Sequence, residues 1–413
     1  MENLGKNQEA VILSAARTPT GRFLGSLSDI PVGDLGGIVV REAVKRAGID
    51  PASVYEVLMG NVVSAGVGQA PARQAALRGG LPDSVGATAI NKVCGSGLKA
   101  VMIAANAIAA GEASTFVAGG MENMSQAPFL VPKVRQGLKF GHGELIDSLL
   151  ADGLWCTFED WVMGNGAEFI AKQYELTREE LDEYAVNSHE KAAAATASGR
   201  FDEEIVPVEI KGRKGQASVF SRDEAIRAAY EDGTYSLTTS LEQLGKLPPA
   251  FDREGIITAG NAPGLNDGAA ALVVTSREEA ERQNVAPIAR IVGYTLAAVD
   301  PHWIFIAPAR AIPRLLERVG WTMADVDLLE LNEAFAAQVL ADGIDIANQG
   351  YDWDWAKVNV NGGAVALGHP IGASGARVLV TLVHALKQRN LKRGIASLCL
   401  GGGEAVAMAI EME

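Results

Sequence analysis

The feature that most constrains the fold of this chain is a pattern of elements that occurs twice. In the first copy, an amphipathic stretch ends at Gly48 and a short apolar run follows it as far as Asn61. In the second copy, the corresponding stretch ends at Gly320 and the run ends at Asn332. Each copy is typical of a helix, a glycine stop and a strand that ends in asparagine. The repeat predicts two similar α/β halves with mostly parallel strand pairing.

A second pair of matches follows in the same order, and both of its members carry a residue capable of chemistry. Residues 94–97 and residues 372–375 are Gly-containing steps that open a helix, and each helix is followed by a strand and a run of glycines. Cys94 stands at the first opening, and His369 lies just ahead of the second. Because the two openings are equivalent, we expect them to face a shared site between the halves.

Cys94 precedes an almost wholly apolar segment, residues 98–110, which is predicted to be a buried helix. The unpaired N–H groups of a helix start favour a thiolate. This stretch alone is equally consistent with a nucleophile and with a buried thiol of the core. The equivalent position of His369 favours catalysis, since an imidazole near a cysteine can take its proton.

Three further residues are candidates for the same site. Cys399 ends an apolar strand before three glycines, so it is either a buried strand thiol or an acid/base thiol beside N–H groups that can bind an oxyanion. Its pairing with Cys94 and His369 favours the second reading. Asn332 can donate to a developing oxyanion or hold a water there. For Glu333, orientation of the His369 ring and capping of the next helix are equally consistent.

The middle of the chain differs in texture from the regular alternation. Aromatic residues cluster there, a basic segment spans residues 211–215, and the charged stretches 177–191 and 223–228 are predicted to be helical. The first of these stretches opens with a Thr-x-x-Glu capping-box pattern. We predict an N-terminal half of residues 1–125 and 250–275, an inserted domain of residues 126–249, and a C-terminal half of residues 276–413.

Composition excludes several classes of protein. The 413 residues carry a net charge of −14 without a basic stripe, which argues against a nucleic-acid partner. No uncharged apolar run reaches the roughly 18 residues of a membrane helix, and the first ten residues do not resemble a signal peptide, so we expect a cytoplasmic protein. Three cysteines do not form a disulfide framework, and Cys156 is expected to be structural. The remaining histidines show no metal-ligand spacing, so no metal site is expected: His142, His189, His302 and His384.

Together these blocks resemble the thiolase family, the acetyl-CoA C-acyltransferases. NKVCGSGLKA (91–100) resembles the nucleophile block of the family, NVNGGAVALGHPIGASGAR (359–377) its histidine block, and CLGGGEAVAM (399–408) its second-cysteine block. RTPTGRF, GGMENMS, TAGNAPGLNDGAAA and NEAFA match in order, so the likeness runs nearly end to end. It implies a layered α-β-α-β-α fold of two similar halves, with an inserted loop domain that binds CoA.

The resemblance also implies a two-step acyl exchange. Cys94 would form an acyl-enzyme with His369 as its base, and Cys399 would move the proton at the carbon that becomes the enolate. One oxyanion site would use His369 and a water held by Asn332, and the other would use the N–H groups of Cys94 and Gly401. CoA is then a substrate, with no tightly bound cofactor. A homodimer or homotetramer is implied, and an edge strand at residues 87–90 could pair across the dimer.

Several residues match those that line the CoA and acyl path of the family: Leu154, Met163, Arg227, Phe251, Ala259, Ala334 and Phe335. Arg227 would face the nucleotide part of CoA, where a positive charge helps, although a solvated surface arginine is equally consistent. The sequence departs from the better-known short-chain members at Val162, Gln243 and Pro263 and over residues 301–308. These departures leave the acyl chain preference open.

Two other functions are consistent with this type of fold. A decarboxylating ketoacyl synthase usually shows one cysteine and two histidines, and here Cys399 stands where the second histidine is expected. A non-catalytic acyl-CoA or lipid-binding protein is expected to have lost Cys94, His369 or Cys399, and none is lost. The resemblance therefore favours a thiolase.

Overall fold

The structure of the chain is a computed structural model that describes residues 8–211 and 217–413. Most of the N-terminal stretch used for the signal-peptide prediction and most of the basic segment 211–215 lie outside the described residues. The strands are β1 Ala10–Arg17, β2 Gly21–Arg22, β3 Glu56–Gly60, β4 Gly86–Ile90, β5 Thr115–Asn123, β6 Phe129–Leu130, β7 Ile146–Asp147, β8 Trp155–Cys156, β9 Trp161–Val162, β10 Val208–Lys211, β11 Ala217–Phe220, β12 Ala228–Glu231, β13 Thr234–Leu237, β14 Asn266–Ser276, β15 Ala289–Ala298, β16 Leu328–Leu331, β17 Arg393–Leu400 and β18 Glu404–Met412. The α-helices are α1 Val32–Ala47, α2 Pro71–Arg78, α3 Ser96–Ala109, α4 Met163–Gln173, α5 Arg178–Ala197, α6 Leu241–Gly245, α7 Arg277–Arg282, α8 Pro308–Val319, α9 Ala336–Asn348, α10 Ala364–Leu367 and α11 Ile371–Arg389.

The main sheet is mixed, and the prediction of mostly parallel pairing is wrong. Its strand order is β16-β17-β18-β15-β1-β14-β5-β3-β4, with β2 paired to β14. Only the flanks are parallel, at β3–β4, β3–β5 and β16–β17, whereas the central pairs are antiparallel. Only Gly401, Gly402 and Gly403 separate β17 from β18, and so short a connection can join only antiparallel neighbours.

The main sheet consists of two segments that correspond to the two predicted halves, and helices cover both faces. One segment of the sheet contains β1, β14, β5, β3 and β4, and the other contains β15, β18, β17 and β16. The two segments are joined by only two residue pairs, between β1 and β15. Helices α3 and α11 contact both segments, α1 and α2 cover the outer face of the first, and α8 and α9 lie outside the second. The α-β-α-β-α layering of two similar halves is confirmed.

The repeated elements have the same local structure in both halves. Gly48 follows α1 with φ 68°, and Gly320 follows α8 with φ 69°. Both glycines adopt the left-handed conformation that ends a helix, which a residue with a side chain adopts only at a cost. A single 3₁₀ turn and then β3 or β16 follow each glycine. The repeat therefore reflects a structural duplication.

Direct contact between α3 and α11 brings the two helix starts together. A Cβ atom at Gly97 would lie 2.5 Å from the Ala376 nitrogen, and one at Gly375 would lie 2.4 Å from the Leu98 nitrogen. Only glycine allows such close approach of two backbones. The predicted buried helix at residues 98–110 is α3, and its placement against α11 positions Cys94 and His369 on the same side of the packed pair.

Two further predictions are corrected by the structure. The first run of glycines was expected to follow its strand, but Gly119 and Gly120 lie within β5, which extends to Asn123. A Cβ at Gly120 would lie 2.0 Å from the carbonyl oxygen of Gly372, so these glycines allow close packing of β5 against α11. The stretch 223–228 is not a helix. Its first side chain, Asp223, accepts hydrogen bonds from the Arg17 guanidinium and the Thr20 N–H, so it is tied to the β1–β2 connection.

The inserted region packs over the site and contains helices and small hairpins. It carries α4, α5 and α6 and the pairs β6–β7, β8–β9, β10–β11 and β12–β13. The capping box predicted for the long helix is present, since the Thr177 side chain accepts from the Glu180 N–H and the Glu180 carboxylate accepts from the Thr177 N–H. Helix α4 contacts α9, and α5 contacts α10, so the insertion adjoins the C-terminal half.

Candidate active site

Cys94 occupies a constrained turn two residues before α3. The preceding Val93 has φ 47°, which is unusual for a β-branched residue and costs of order 1–3 kcal/mol. Ser96 closes the turn, because its Oγ accepts from the Lys92 N–H at 2.8 Å and donates to the Val93 carbonyl at 2.6 Å. Strain at such a position marks a side chain that the surrounding structure holds in place.

The Cys94 side chain lines a cavity of about 190 Å³ that is almost wholly apolar. Its wall is formed by residues from both predicted halves and from the predicted insertion. The lining residues are Val93, Cys94, Met124, Leu150, Gly153, Leu154, Val162, Met163, Gly164, Phe251, Ala262, Pro263, Gly264, Leu265, Ile304, Phe305, Ala334, Phe335, His369, Ile371, Cys399, Leu400 and Gly401. The cavity therefore brings together the three side chains predicted to react, Cys94, His369 and Cys399, and Gly401.

The expected thiolate at Cys94 is not the resting form. Burial raises the pKa of Cys94 to about 12, and the nearby charge of Glu122 acts in the same direction. The N–H groups of Cys94 and Gly401 act in the opposite direction, which places both donors at the sulfur. Desolvation thus outweighs the helix start, because an ion loses most of its hydration in an apolar cavity. The thiol requires a base.

His369 is suited to be that base. Its Nδ1 lies 2.6 Å from the Ser374 Oγ, and this hydroxyl donates its one hydrogen to the Pro370 carbonyl at 2.8 Å. Ser374 must therefore accept from Nδ1–H, which leaves the lone pair on Nε2. Burial, followed by the charge of Arg377, lowers the pKa of His369 to about 3, so the imidazole is neutral at rest.

The hydrogen bonds of Glu333 contradict both roles that were considered for it. The Glu333 carboxylate accepts from Tyr184 (2.9 Å), Ser188 (2.7 Å) and Asn359 (3.0 Å). It also accepts from the N–H of Val365 in the short helix α10 at 3.0 Å. None of these partners is His369, so Glu333 does not orient the ring. Nor does it cap the next helix, since the backbone group that it binds belongs to α10.

Cys399 lies in β17 and is 1% exposed. Burial raises the pKa of Cys399 well above its ordinary value, and the negative charges that Cys94 and Asp342 can carry raise it further. A thiol with a raised pKa gives a strong base once it has lost its proton. Directly after β17, Gly401 contributes the N–H already found at the Cys94 sulfur.

Asn332 is fully buried and does not line the cavity. Its Oδ1 accepts from the Arg377 Nη2 at 3.1 Å, and its Nδ2 has no hydrogen-bond partner in the described part of the chain. Ala334 and Phe335, the third and fourth residues of the same loop, do line the cavity. Asn332 is thus a buried residue outside the cavity, two residues before the first of these wall residues.

The residues predicted to contact CoA divide into two groups. Leu154, Met163, Phe251, Ala334 and Phe335 all line the cavity. Arg227 and Ala259 do not, and the Arg227 Nη2 instead donates to the Ala259 carbonyl at 2.6 Å. Burial, followed by the like charge of Arg22, lowers the pKa of Arg227. The two groups are thus an apolar channel and a separate cationic region.

The cavity also contains residues that sequence reasoning did not assign. Ile304 and Phe305 belong to the altered segment 301–308, and the Phe305 ring packs edge-on against Phe335 with 5.3 Å between centroids. Val162 and Pro263 line the cavity, whereas Gln243 does not. The departures at 301–308 were a signal that this segment reaches the acyl path.

A buried carboxylate, Glu122, lies beside the site and was also missed. It accepts from the Asn61 amide (2.8 Å), the N–H groups of Val62 (3.1 Å) and Val63 (3.2 Å), and the N–H of Gly372 in α11 (2.9 Å). Burial raises the pKa of Glu122 to about 7 against these four donors. It thus ties the start of α11 to the first half of the molecule.

The substitution Glu122→Gln should lower the pKa of the nucleophile, because the charge of Glu122 raises the pKa of Cys94. We expect severalfold faster alkylation of Cys94 by iodoacetamide above pH 7, where the wild-type carboxyl is ionised. Well below pH 7 the wild-type carboxyl is already neutral, so the two rates should converge. An equal rate difference at all pH values would show that the variant had changed access rather than charge.

Comparisons with known proteins agree with this geometry. The family model described as "Thiolase, N-terminal domain" matches residues 10–278, and that described as "Thiolase, C-terminal domain" matches residues 285–412. Together they cover nearly the whole described chain, so the protein belongs to the thiolase family.

Three acetyl-CoA acetyltransferases are similar to this chain over nearly its full length. The acetyl-CoA acetyltransferase of Cupriavidus necator is 53% identical over 403 residues, which are 98% of this chain and 99% of that protein. The acetyl-CoA acetyltransferase of Escherichia coli K12 is 51% identical over 405 residues, with the same shares. The crystal structure of the Bacillus anthracis acetyl-CoA acetyltransferase superposes with a TM-score of 0.93 at 45% identity and covers 99% of this chain and 100% of that one.

Within residues 8–211 and 217–413, no helix is long and apolar enough to cross a membrane. Among those residues there is also no group of three or more His, Cys, Asp or Glu side chains placed to hold a metal ion.

Proposed function

We propose that this chain catalyses the reversible, CoA-dependent cleavage of 3-ketoacyl-CoA, or the condensation of acetyl-CoA to acetoacetyl-CoA, through an acyl-enzyme on Cys94. The observation that carries the proposal is the opening of Cys94, His369 and Cys399 into one apolar cavity. The full-length similarity to acetyl-CoA acetyltransferases supports the same reaction.

The first step begins from an uncharged pair. When a thioester or ketone carbonyl binds, the Cys94 proton passes to Nε2 of His369 and the sulfur attacks the carbonyl carbon. The N–H groups of Cys94 and Gly401 bind the oxyanion that forms. Collapse expels CoA in the synthetic direction, and Cys399 gives its proton to the departing thiolate. An acyl-enzyme on Cys94 remains.

The second step uses the base created by the first. The Cys399 thiolate removes the α-proton of an incoming acetyl-CoA, and His369 with Asn332 (through a bridging water) stabilises the enolate oxygen. The enolate carbon attacks the acyl-enzyme carbonyl, and Cys94 leaves and recovers its proton from His369. A thioester stabilises an α-carbanion poorly, so the raised thiol pKa of Cys399 matches this task.

The two alternative functions are less well supported. A decarboxylating ketoacyl synthase is expected to have a second histidine where Cys399 stands in the cavity. A non-catalytic binding protein would not need His369 in the tautomer that leaves Nε2 free.

We assign CoA contacts to the apolar channel of Leu154, Met163, Phe251, Ala334 and Phe335, and the nucleotide end of CoA to the cationic region near Arg227 and Ala259. CoA acts as a substrate, with no tightly bound cofactor. We also propose that residues 126–249 form the CoA-binding inserted domain. A cytoplasmic location suits the reaction, because the two catalytic thiols must stay reduced.

The decisive assay is cleavage of 3-ketoacyl-CoA substrates of rising chain length in the presence of CoA, together with condensation of acetyl-CoA. Turnover of at least one member of the series is the expected result, and the series defines the chain preference set by Val162, Pro263 and residues 301–308. If neither direction exceeds background, the proposed function is wrong.

Self-association of the chain is also proposed, as a homodimer or homotetramer. Strand β4 lies at the edge of the sheet with only β3 beside it in the described residues. Between β6 and β7, Leu138 and Phe140 are exposed. Exposed apolar clusters of this kind mark contacts between proteins.

The double change Leu138→Asp and Phe140→Asp should reduce the molar mass measured by light scattering after size exclusion to a smaller assembly. Charges cannot be buried at an apolar contact without a partner, so the contact is lost. Val219→Asp changes an exposed apolar residue on a separate hairpin, β10–β11, and should leave the mass unchanged. An unchanged mass for the double variant would show that this segment makes no such contact.

A further inference from the structure

The two asparagines of the internal repeat occupy matching places in their halves. Asn61 directly follows β3, and Asn332 directly follows β16. The N–H of Asn61 donates to the Ile90 carbonyl at the end of β4, at 3.0 Å. The N–H of Asn332 donates to the Ser397 carbonyl in β17, also at 3.0 Å. The two asparagines therefore make equivalent backbone hydrogen bonds, and the halves differ in the partners of the asparagine side chains.

Those partners carry opposite charges. In the N-terminal half, the amide nitrogen is engaged, since Asn61 Nδ2 donates to the Glu122 carboxylate at 2.8 Å. In the C-terminal half, the amide oxygen is engaged, since Asn332 Oδ1 accepts from Arg377 Nη2 at 3.1 Å. An amide has distinct donor and acceptor ends, so a cationic partner selects the orientation that leaves the nitrogen free to donate. The Asn332 Nδ2 is left with no protein partner within the described ranges.

Arg377 is itself buried. It lies in α11, the helix that begins beside His369, and is 3% exposed. Its Nη1 lies 3.7 Å from a carboxylate oxygen of Glu330, which is equally buried and precedes Asn332 by two residues on β16. This contact is too long for a hydrogen bond, and neither Nε nor Nη1 of Arg377 has a hydrogen-bond partner among the described residues, so the buried guanidinium is hydrogen-bonded through Nη2 to Asn332. Helix α11 thus carries the group that orients the amide and begins two residues after the imidazole of His369.

We propose that Arg377 is a positioning residue that holds the Asn332 amide with its nitrogen available to the water that bridges to the enolate oxygen. This inference rests on the proposed function, because it acts through the role of Asn332 in that reaction. Without the guanidinium, the amide can rotate and present its oxygen, which competes with the enolate oxygen for the hydrogens of the bridging water. The effect should be confined to enolate formation, since the N–H groups of Cys94 and Gly401 serve the acylation step.

The test removes the guanidinium without leaving an unpaired buried carboxylate. The double variant Arg377→Met with Glu330→Gln should condense acetyl-CoA about a hundredfold more slowly, while Cys94 is acylated by acetyl-CoA at the wild-type rate. Arg377→Lys keeps the charge opposite Glu330 with a single donor, and should restore part of the condensation rate. In an Asn332→Ala background, the double change should cause no further loss, because both act through one interaction.

A matched control comes from the same helix. Arg389 in α11 also donates to an asparagine oxygen, that of Asn361, at 2.8 Å, and Arg389→Met should leave both steps unchanged. The proposal is overturned if the double variant condenses at the wild-type rate, loses acylation equally, or adds its loss to that of Asn332→Ala. If the double variant does not fold, Arg377→Lys provides the same test, because condensation should fall with acylation intact. Absence of acylation in the wild type would instead contradict the proposed function.

Discussion

Cys94→Ala should abolish turnover in both directions, with a loss of roughly 10⁴-fold or more, the scale on which removal of a nucleophile acts. Cys399 is the other thiol among the described residues that line the cavity, and burial raises the pKa of Cys399 well above its ordinary value, so we do not expect it to replace Cys94 as the nucleophile. Incubation with acetyl-CoA followed by intact-mass analysis should show an acetylated wild-type chain and an unmodified variant. Iodoacetamide should no longer inactivate the variant through this site.

Cys156→Ala is the matched control for this experiment. Cys156 is buried in the hairpin β8–β9 and does not line the cavity, so its removal should preserve acylation and turnover. A persisting acetyl adduct on Cys94→Ala would move the nucleophile elsewhere. The peptide that carries the adduct would then identify the residue that replaces Cys94 in the proposed reaction.

The internal repeat allowed much of this site to be predicted from the sequence. It placed Cys94 and His369 at equivalent helix openings, and the structure confirms that α3 and α11 pack against each other with both residues on one cavity. Helix stops at Gly48 and Gly320 were readable because a left-handed cap favours glycine. Local rules were sufficient wherever the structure depends on neighbouring residues.

Predictions that depended on distant contacts failed. The predicted direction of strand pairing was wrong because β14 pairs with β5 although the whole predicted insertion separates them in the chain. No local sequence pattern indicates the direction of such a distant pair. The stretch 223–228 has helical charge spacing, yet Asp223 is bound by Arg17 from the far end of the chain. The raised pKa of Cys94 could not be predicted either, because a helix start is visible in the sequence and desolvation by a cavity is not.

The two halves therefore share a backbone arrangement but differ in the charge of the side chains that bind their equivalent asparagines. Equivalent asparagines follow β3 and β16, and a buried anion in one half and a buried cation in the other set their amides in opposite ways. In the N-terminal half, Glu122 uses its acceptors to tie α11 to β3. In the C-terminal half, Arg377 leaves a donor free. The same backbone arrangement thus holds a carboxylate that ties two elements together on one side and, on the other, an amide nitrogen that is free to act as the oxyanion donor of the proposed reaction.

Cys399→Ala should separate the two steps of the reaction. Cys94 and His369 remain, and the departing CoA thiolate can take its proton from solvent instead of Cys399, so the variant should still become acetylated by acetyl-CoA. It should lose condensation by about 10²–10⁴-fold, the usual contribution of a general acid/base. Exchange of the α-protons of acetyl-CoA with solvent deuterium, followed by mass spectrometry, should fall in parallel, because the high thiol pKa of Cys399 is what suits it to a weak carbon acid.

The comparison of Cys399→Ala with Cys399→Ser distinguishes proton transfer from packing. Cys399 is 1% exposed among apolar neighbours, so both variants cost some packing, but serine retains nearly the volume of cysteine. A hydroxyl is a much poorer acid than a thiol, so both variants should lose exchange to a similar extent if proton transfer is the role. Recovery of exchange in the serine variant would show that Cys399 only shapes the cavity, and loss of acylation in both would show that Cys399 is required for the first step and not only for proton transfer at carbon.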